Sequence, residues 1–327
     1  MNLPAVRRRQ FLAASLVSLL PLGTRAQTFP SRPITVVVPF PPGGSVDLIA
    51  RLFAEPLAKA LGVPVVIENR AGVGGSLGSA AVARAQPDGY TLVVASQSSH
   101  LGNPLTNPKV GYDPIRDFTL ISEMAQVPNV LVVNPALPVK TFKEFMAYVQ
   151  ARPGALNYCS AGPGSMGQLN VELLKSAMPF DAVHISYRGG GPLLTAILSN
   201  EVQFALDNLG PFLPHVQSGK LRALAVAGPT RSPQLPDVPT FAELGLPTLN
   251  AASWAGLAAP AKTPAAVANA IARAVRTVAT QPDMMEQFAS RGLMAPQAVD
   301  TASFTAMLTE RLATYGELVK RYGIRSE

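Results

Sequence analysis

The sequence predicts an α/β protein of two lobes, each a mixed, mostly parallel sheet flanked by helices, with a ligand cleft between them. Three observations carry this expectation. The chain of 327 residues exceeds the size at which one hydrophobic core keeps growing. Strand-length apolar runs alternate with helix-length amphipathic segments. Two of those runs pass through a Gly-rich turn into a helix, at residues 36–51 and 156–178.

In the first unit, Val36, Val37 and Val38 form an apolar run suited to a central parallel strand. The turn Pro39-Phe40-Pro41-Pro42-Gly43-Gly44 follows, and a helix begins near Ser45. Its glycines let backbone approach a ligand with no Cβ in the way. The helix start offers N–H groups without intrahelical partners, which attract anions. No Lys or Arg lies between Arg32 and Arg51, so an anion here would be held by amides and the Ser45 hydroxyl. That favours a small carboxylate over a polyphosphate. Asp47 falls in the first turn, where its charge suits the helix dipole; facing the cleft, it would accept from an ammonium. Pro56 predicts a kink in the helix.

Residues 61–67 read as the second strand, 76–85 as a second helix behind a Gly-rich loop, and 90–95 as a third strand. Residues 103–114 hold three prolines and are expected as a surface loop. A strand at 130–133 marks the first crossing between lobes. Thr141 and Glu144 have the spacing of a capping box, before a helix that Gly154 should stop. The second strand-turn-helix unit comprises strand 156–160, turn 161–167 and helix 168–178. Next come a strand at 182–187, a helix opened by Pro192, and strands at 202–206 and 221–227. Residues 228–240 hold four prolines and read as a loop, before Trp254 carries the chain back. Two C-terminal helices start at Thr263-Pro264 and Asp300. Val267, Ile271, Val275 and Val278 form one apolar stripe; Phe304, Leu308, Leu312, Tyr315, Val319 and Tyr322 form the other, and Gly323 caps it. The resulting division is an export segment 1–26, a first lobe 27–128 and 254–327, and a second lobe 129–253.

Residues 1–26 combine Arg7, Arg8 and Arg9, an apolar run too short to span a bilayer, and Thr24-Arg25-Ala26. That is the pattern of an export signal cleaved after Ala26. Arg8-Arg9-Gln10-Phe11-Leu12 fits a twin-arginine signal, with an ordinary Sec signal as the alternative. The signal carries four of the arginines behind the net charge of +7, leaving 23 basic against 20 acidic residues. Aromatics are 6% of residues and do not interleave with Lys or Arg, which argues against nucleic acid as a partner. Cys159, the single cysteine, permits no internal disulfide and is expected to be buried and inert. His100, His184 and His215 lack metal-ligand spacing, and no cofactor is expected.

Several motifs occur in a fixed order: Arg32-Pro33-Ile34-Thr35, Pro42-Gly43-Gly44-Ser45-x-Asp47, Glu68-Asn69-Arg70-Ala71-Gly72-x-Gly74-Gly75 and Pro87-Asp88-Gly89-Tyr90. Leu235-Pro236-Asp237-Val238-Pro239-Thr240 and Ser253-Trp254-x-Gly256-Leu257 continue the series. Together they resemble the periplasmic substrate-binding proteins of tripartite tricarboxylate transporters, the Bug family. The resemblance implies a type II periplasmic binding protein: a monomeric, non-enzymatic receptor that passes a small organic acid or amino acid to integral membrane transporter subunits. It implies that amides, hydroxyls and ordered waters of two turns grip the ligand's first carboxylate. Those turns contain Pro42, Gly43, Gly44 and Ser45, and Gly162, Gly164 and Ser165. Gly74, Gly75 and Ser76, Ser98, Tyr187, Arg188 and Gly189, and Asp207 with Asn208 would line the rest. Gln168 stands where the family often has His. The ligand is left open among dicarboxylates, tricarboxylates, aromatic and nicotinate-like acids, and amino acids.

Two motifs raise an exported enzyme as the alternative. Gly74-Gly75-Ser76-Leu77-Gly78 fits the G-x-S-x-G elbow of a serine hydrolase, with Asp207 and His215 later in the required order. A six-residue loop before Gly74 argues against it, since an elbow turns directly from strand to helix. Gly162-Pro163-Gly164-Ser165-Met166-Gly167 fits the dinucleotide fingerprint G-x-G-x-x-G. The acidic residue expected after the next strand is replaced by Ser186-Tyr187-Arg188, which would suit only the 2′-phosphate of NADP.

Overall fold

A computed structural model describes residues 29–228, 230–249 and 251–325; the export segment expected at 1–26 lies outside the described residues. Strands β1 (Ile34–Val38), β2 (Val65–Asn69), β3 (Thr91–Ser96) and β4 (Phe118–Val127) belong to one sheet. Strands β5 (Asn129–Val133), β6 (Asn157–Ser160), β7 (Val183–Ser186), β8 (Phe204–Asn208) and β9 (Arg222–Val226) form a second, and β10 (Ser253–Pro260) returns to the first. The strand orders are β2-β1-β3-β10-β4 and β7-β6-β8-β5-β9. In each sheet a parallel set (β2-β1-β3; β7-β6-β8) meets one antiparallel strand that arrives from the other sheet, β10 or β5.

The helices are α1 (Ser45–Leu61), α2 (Ser76–Ala83), α3 (Asn103–Thr106), α4 (Phe142–Gln150), α5 (Met166–Ala177), α6 (Gly190–Leu198) and α7 (Leu209–Gln217). They continue with α8 (Ala265–Ala279), α9 (Pro282–Ser290) and α10 (Thr301–Tyr322). One face of the first sheet packs Ile34, Val36 and Val38 against Ile49 and Phe53 of α1 and Ile271 and Val275 of α8. On its other face, a core continuous with the second sheet joins Val93, Phe304 and Leu308 to Leu131, Phe145, Tyr158 and Phe204. A shared core and tied crossings hold the sheets together. Asn129 donates to the Ala251 carbonyl at 3.3 Å, and Ser253 donates to Asn129 at 3.0 Å.

Several elements differ from the sequence expectation. Helix α1 runs to Leu61, because Gly62 supplies a left-handed cap at φ 73°, so β2 starts at Val65 rather than 61. Pro56 lies inside α1, which continues as one helix. The expected loop at 103–114 begins as α3 instead, with Pro104 in the first turn where an N–H is not needed, and Asn103, Thr106 and Tyr112 are buried. Only half of the capping box forms: Thr141 accepts from the Glu144 amide, while the Glu144 carboxylate takes the Lys140 amide. That helix ends at Gln150, with Ala151 as its cap, ahead of Gly154. Helix α6 starts two residues before Pro192. Helix α7 was hidden by Gly210, Pro211 and Pro214, and β8 extends to Asn208, so Asp207 and Asn208 sit in a strand, not a loop. The C-terminal region holds α9 between the two expected helices.

His100 makes the stability of the fold depend on pH. It is fully buried, with Nδ1 3.0 Å from the Ser99 hydroxyl and its ring 4.6 Å from that of Phe118. Burial pushes its pKa down to about 3. The unfolded chain therefore takes up a proton below about pH 6.5 that the folded state refuses, so this group erodes stability as pH falls from about 6.5 toward 3. Urea unfolding of the wild type and His100→Leu should show a pH-dependent difference, the wild type losing about 2 kcal/mol more between pH 8 and pH 5. Parallel pH profiles would exclude the effect.

Candidate functional site

The carboxyl ends of β1, β6, β7 and β8 lead within a few residues into α1, α5, α6 and α7. Ligands of open α/β sheets bind at such edges, and here the two edges face each other. A Cβ placed on Gly190 would lie 3.2 Å from Gly44 Cα, and one on Gly189 would lie 2.6 Å from Pro41 Cδ. The Met166 amide at the start of α5 donates to Ser98 Oγ at 3.1 Å, a direct bond between the sheets' cleft loops. Gly164, at φ +72°, needs its missing side chain twice over: the conformation disfavours L residues, and a Cβ would lie 2.9 Å from Thr106 Oγ1 and 3.1 Å from Asn103 Cα. Gly44 is different, since a Cβ there makes only ordinary contacts at 3.7 Å.

Between these edges lies a small inner chamber. It is lined by Phe40, Gly44, Ser45, Val46, Ser98, Ala161, Gly190, Leu193, Asp207, Asn208, Pro211 and Phe212. An outer mouth shares Phe40 and Ala161 with it and adds Pro41, residues 71–75, Gly162, Pro163 and residues 186–189. No Lys, Arg or His lines the inner chamber. Its donors are the N–H groups of the first turns of α1 and α6, which have no intrahelical acceptors. Neither helix has a side-chain cap, because the cap residues are Gly44 and Gly189. Ser165, the cap residue of α5, makes no capping bond, and its hydroxyl is buried without a partner; Asn208 Oδ1 is likewise unpartnered.

The sequence-predicted residues divide into chamber wall and support. Gly44, Ser45, Ser98, Asp207 and Asn208 line the inner chamber, and Gly74, Gly75, Gly162, Tyr187, Arg188 and Gly189 line the mouth. Pro42 and Gly43 lie on the exposed outer side of the first turn. Asp47 braces that turn: its carboxylate accepts from Gly43 N at 3.0 Å, Arg51 at 2.9 Å and Asn69 at 2.9 Å. Burial opposes its charge, but the bonds from Arg51, Asn69 and Gly43 outweigh that and hold its pKa below the usual carboxylate range. Gln168 does the same for the second turn, accepting from the Gly164 amide at 2.8 Å. Ser76 donates to the Val73 carbonyl at 2.9 Å, and no hydrogen bond joins it to Asp207 or His215 as a catalytic triad requires. Arg70 is taken up by Glu68 at 2.6 Å. Sequence reasoning missed Val46, Leu193, Pro211 and Phe212, apolar wall residues with no motif; the triple glycine 189–191 was the available signal for the amino end of α6.

Asp207 stands apart as the charged residue of the inner wall. Burial pushes its pKa up to about 6, against the hydrogen bond from the Asn208 amide at 2.7 Å. Val130 of β5 is its register partner, Gly167 of α5 packs against its Oδ2, and α7 begins at Leu209. The nearby Cys159 thiol of β6 is kept neutral, raised by burial and by Asp207 itself. Among the described residues, no cluster of His, Cys, Asp and Glu could hold a metal ion.

Residues 49–324 match the model of the tripartite tricarboxylate transporter family receptor. Protein BugT of Bordetella pertussis is 38% identical over 268 residues, 82% of each chain. A solved periplasmic transporter is 40% identical, with TM-score 0.88 over 91% of this chain and 99% of its own. MatC from Rhodopseudomonas palustris with bound malate is 34% identical, with TM-score 0.85 over 89% of this chain and 100% of its own.

The environment of Asp207 predicts a pH-dependent stability of opposite sign to that of His100. An acid whose pKa is raised on folding destabilises the fold above that pKa, and the penalty vanishes as pH falls through about 6 to below 4. Asp207→Asn should therefore be more stable than the wild type at pH 8 by up to about 3 kcal/mol, with most of the advantage gone at pH 4. A difference independent of pH would show that the carboxylate carries no such penalty.

Proposed function

The chain belongs to the tripartite tricarboxylate transporter receptor family, and from that premise we propose how it holds its ligand. The protein is a periplasmic solute receptor for a small carboxylate. The observation that carries the mechanism is the pair of uncapped helix starts, α1 and α6, meeting across a chamber without a cation. A carboxylate between them accepts from the amides of Ser45, Val46, Gly190 and Gly191 and from the Ser45 and Ser98 hydroxyls. Water exclusion strengthens each bond, and bonds to a charged group contribute roughly 1.5 to 3 kcal/mol apiece. Gly74, Gly75, Gly162 and residues 187–189 form the entrance, while Asp47 and Gln168 hold the turns in shape.

The segments 29–128 and 254–325 move as one lobe and 129–253 as the other, and a ligand that touches both favours their closure. The malate complex of MatC agrees with a small acid as ligand. Delivery is to integral membrane transporter subunits, by a monomer that performs no chemistry on its cargo and is exported through a twin-arginine or Sec signal.

Titration calorimetry of the mature protein against a panel of small carboxylates tests this, with an ester substrate and NADP as enzyme controls. The expected result is saturable carboxylate binding, no NADP binding and no ester turnover; ester cleavage or NADP binding would contradict it. Ser45→Ala should weaken binding by about tenfold, the loss of one charged hydrogen bond. Arg70→Ala should stay within about twofold, because no ligand bond is lost. Abolition by Arg70→Ala with Ser45→Ala unaffected would replace the amide cradle with an ion pair.

A further inference from the structure

We propose that the inner chamber selects a zwitterion, a compact acid whose single carboxylate meets the starts of α1 and α6 and whose ammonium pairs with the Asp207 carboxylate. This rests on the carboxylate-receptor reading and names the ligand class for the same site. Asp207 lies on the chamber wall, where Oδ1 accepts from the Asn208 amide and no described residue donates to Oδ2. The fold makes room for that oxygen, since a Cβ on Gly167 would lie 2.7 Å from it. No cationic side chain lines the chamber to offset it. A desolvated carboxylate without a cationic partner is costly, and this one lines the chamber.

The chemistry of the remaining wall narrows the choice. A second ligand carboxylate would stand beside Asp207 as a like charge, with no cation to separate the two. A hydroxyl would satisfy the lone pair but leave the charge unpaired, whereas an ammonium does both, and charge-assisted bonds are roughly twice as strong as neutral ones. Asp47 cannot take this role, because Gly43, Arg51 and Asn69 already occupy its carboxylate. Phe40, Val46, Leu193 and Phe212 surround the site with apolar surface, so the body between the two charges is short and apolar.

Titration calorimetry on the mature protein decides the matter with matched probes: L-alanine, β-alanine and 4-aminobutyrate, their deaminated counterparts propionate and butyrate, and the dicarboxylates malate and succinate. At least one zwitterion should bind tenfold or more tighter than its deaminated counterpart and than either dicarboxylate. Asp207→Asn should lose that preference, weakening the zwitterion at least tenfold without weakening the dicarboxylates. Gly167→Ala, which displaces the carboxylate while leaving it in the chain, should cause the same selective loss. Dicarboxylates binding tighter than every zwitterion, or a zwitterion preference that both variants retain, would overturn this inference and leave the receptor reading standing. Failure of every probe to bind would overturn both.

Discussion

A helix that starts at the edge of a sheet leaves its first N–H groups without acceptors, and this protein aims several such starts at one cleft. The starts of α1 and α6 meet with only glycine backbone between them. Much of the surrounding architecture follows from keeping those amides uncapped and close. A Ser, Thr or Asp cap would satisfy them internally and remove the site; Gly44 and Gly189 leave them available. A lysine or arginine in the chamber would bind the anion with less dependence on geometry, and the wall contains none. A site of the proposed kind would recognise a carboxylate by shape and direction of donors.

Such a site works only if the turns do not sag. Asp47 ties the first turn to Asn69 at the end of β2, and Asn69 also donates to the Phe40 carbonyl at 2.9 Å. Gln168 ties the second turn to its own helix. Farther back, Arg311 of α10 donates to Gln97 at 3.0 Å and to the Ala252 carbonyl at 2.8 Å. That links the residue before Ser98 to the strand that returns between the sheets. The cleft loop and the crossing are therefore held by one side chain, and Ser98 in turn reaches the start of α5. Ser98, a proposed ligand contact, is thus also the group that bonds the two cleft loops together.

The two strand-turn-helix units were legible in the sequence because every level agreed: apolar run, Gly/Pro turn, amphipathic helix. The division into two sheets was legible for the same reason, through alternating periods and chain length. What stayed hidden depended on contacts distant in sequence. Asp47 reads alone as a dipole partner; its brace requires Asn69, twenty-two positions away, to arrive beside it. Gln168 reads as a substitution in a ligand subsite until the fold turns its amide oxygen back onto Gly164. Helix α3 was obscured by Pro104 in its first turn, and α7 by Pro211 in its first turn and Pro214 in its interior, a case in which burial overrides local propensity. Asp207 was legible as a candidate but not as a desolvated one, because its burial is set by α5 and β5 from elsewhere in the chain.

The central claim is that backbone amides and hydroxyls, with no cationic side chain, hold the ligand's carboxylate. A crystal structure of the protein with a bound small carboxylate tests it most directly. The account predicts carboxylate oxygens within about 3 Å of the amide nitrogens at the starts of α1 and α6 and of the Ser45 hydroxyl. A carboxylate seated instead on the guanidinium of Arg188 or Arg70, with those amides left to water, would contradict it.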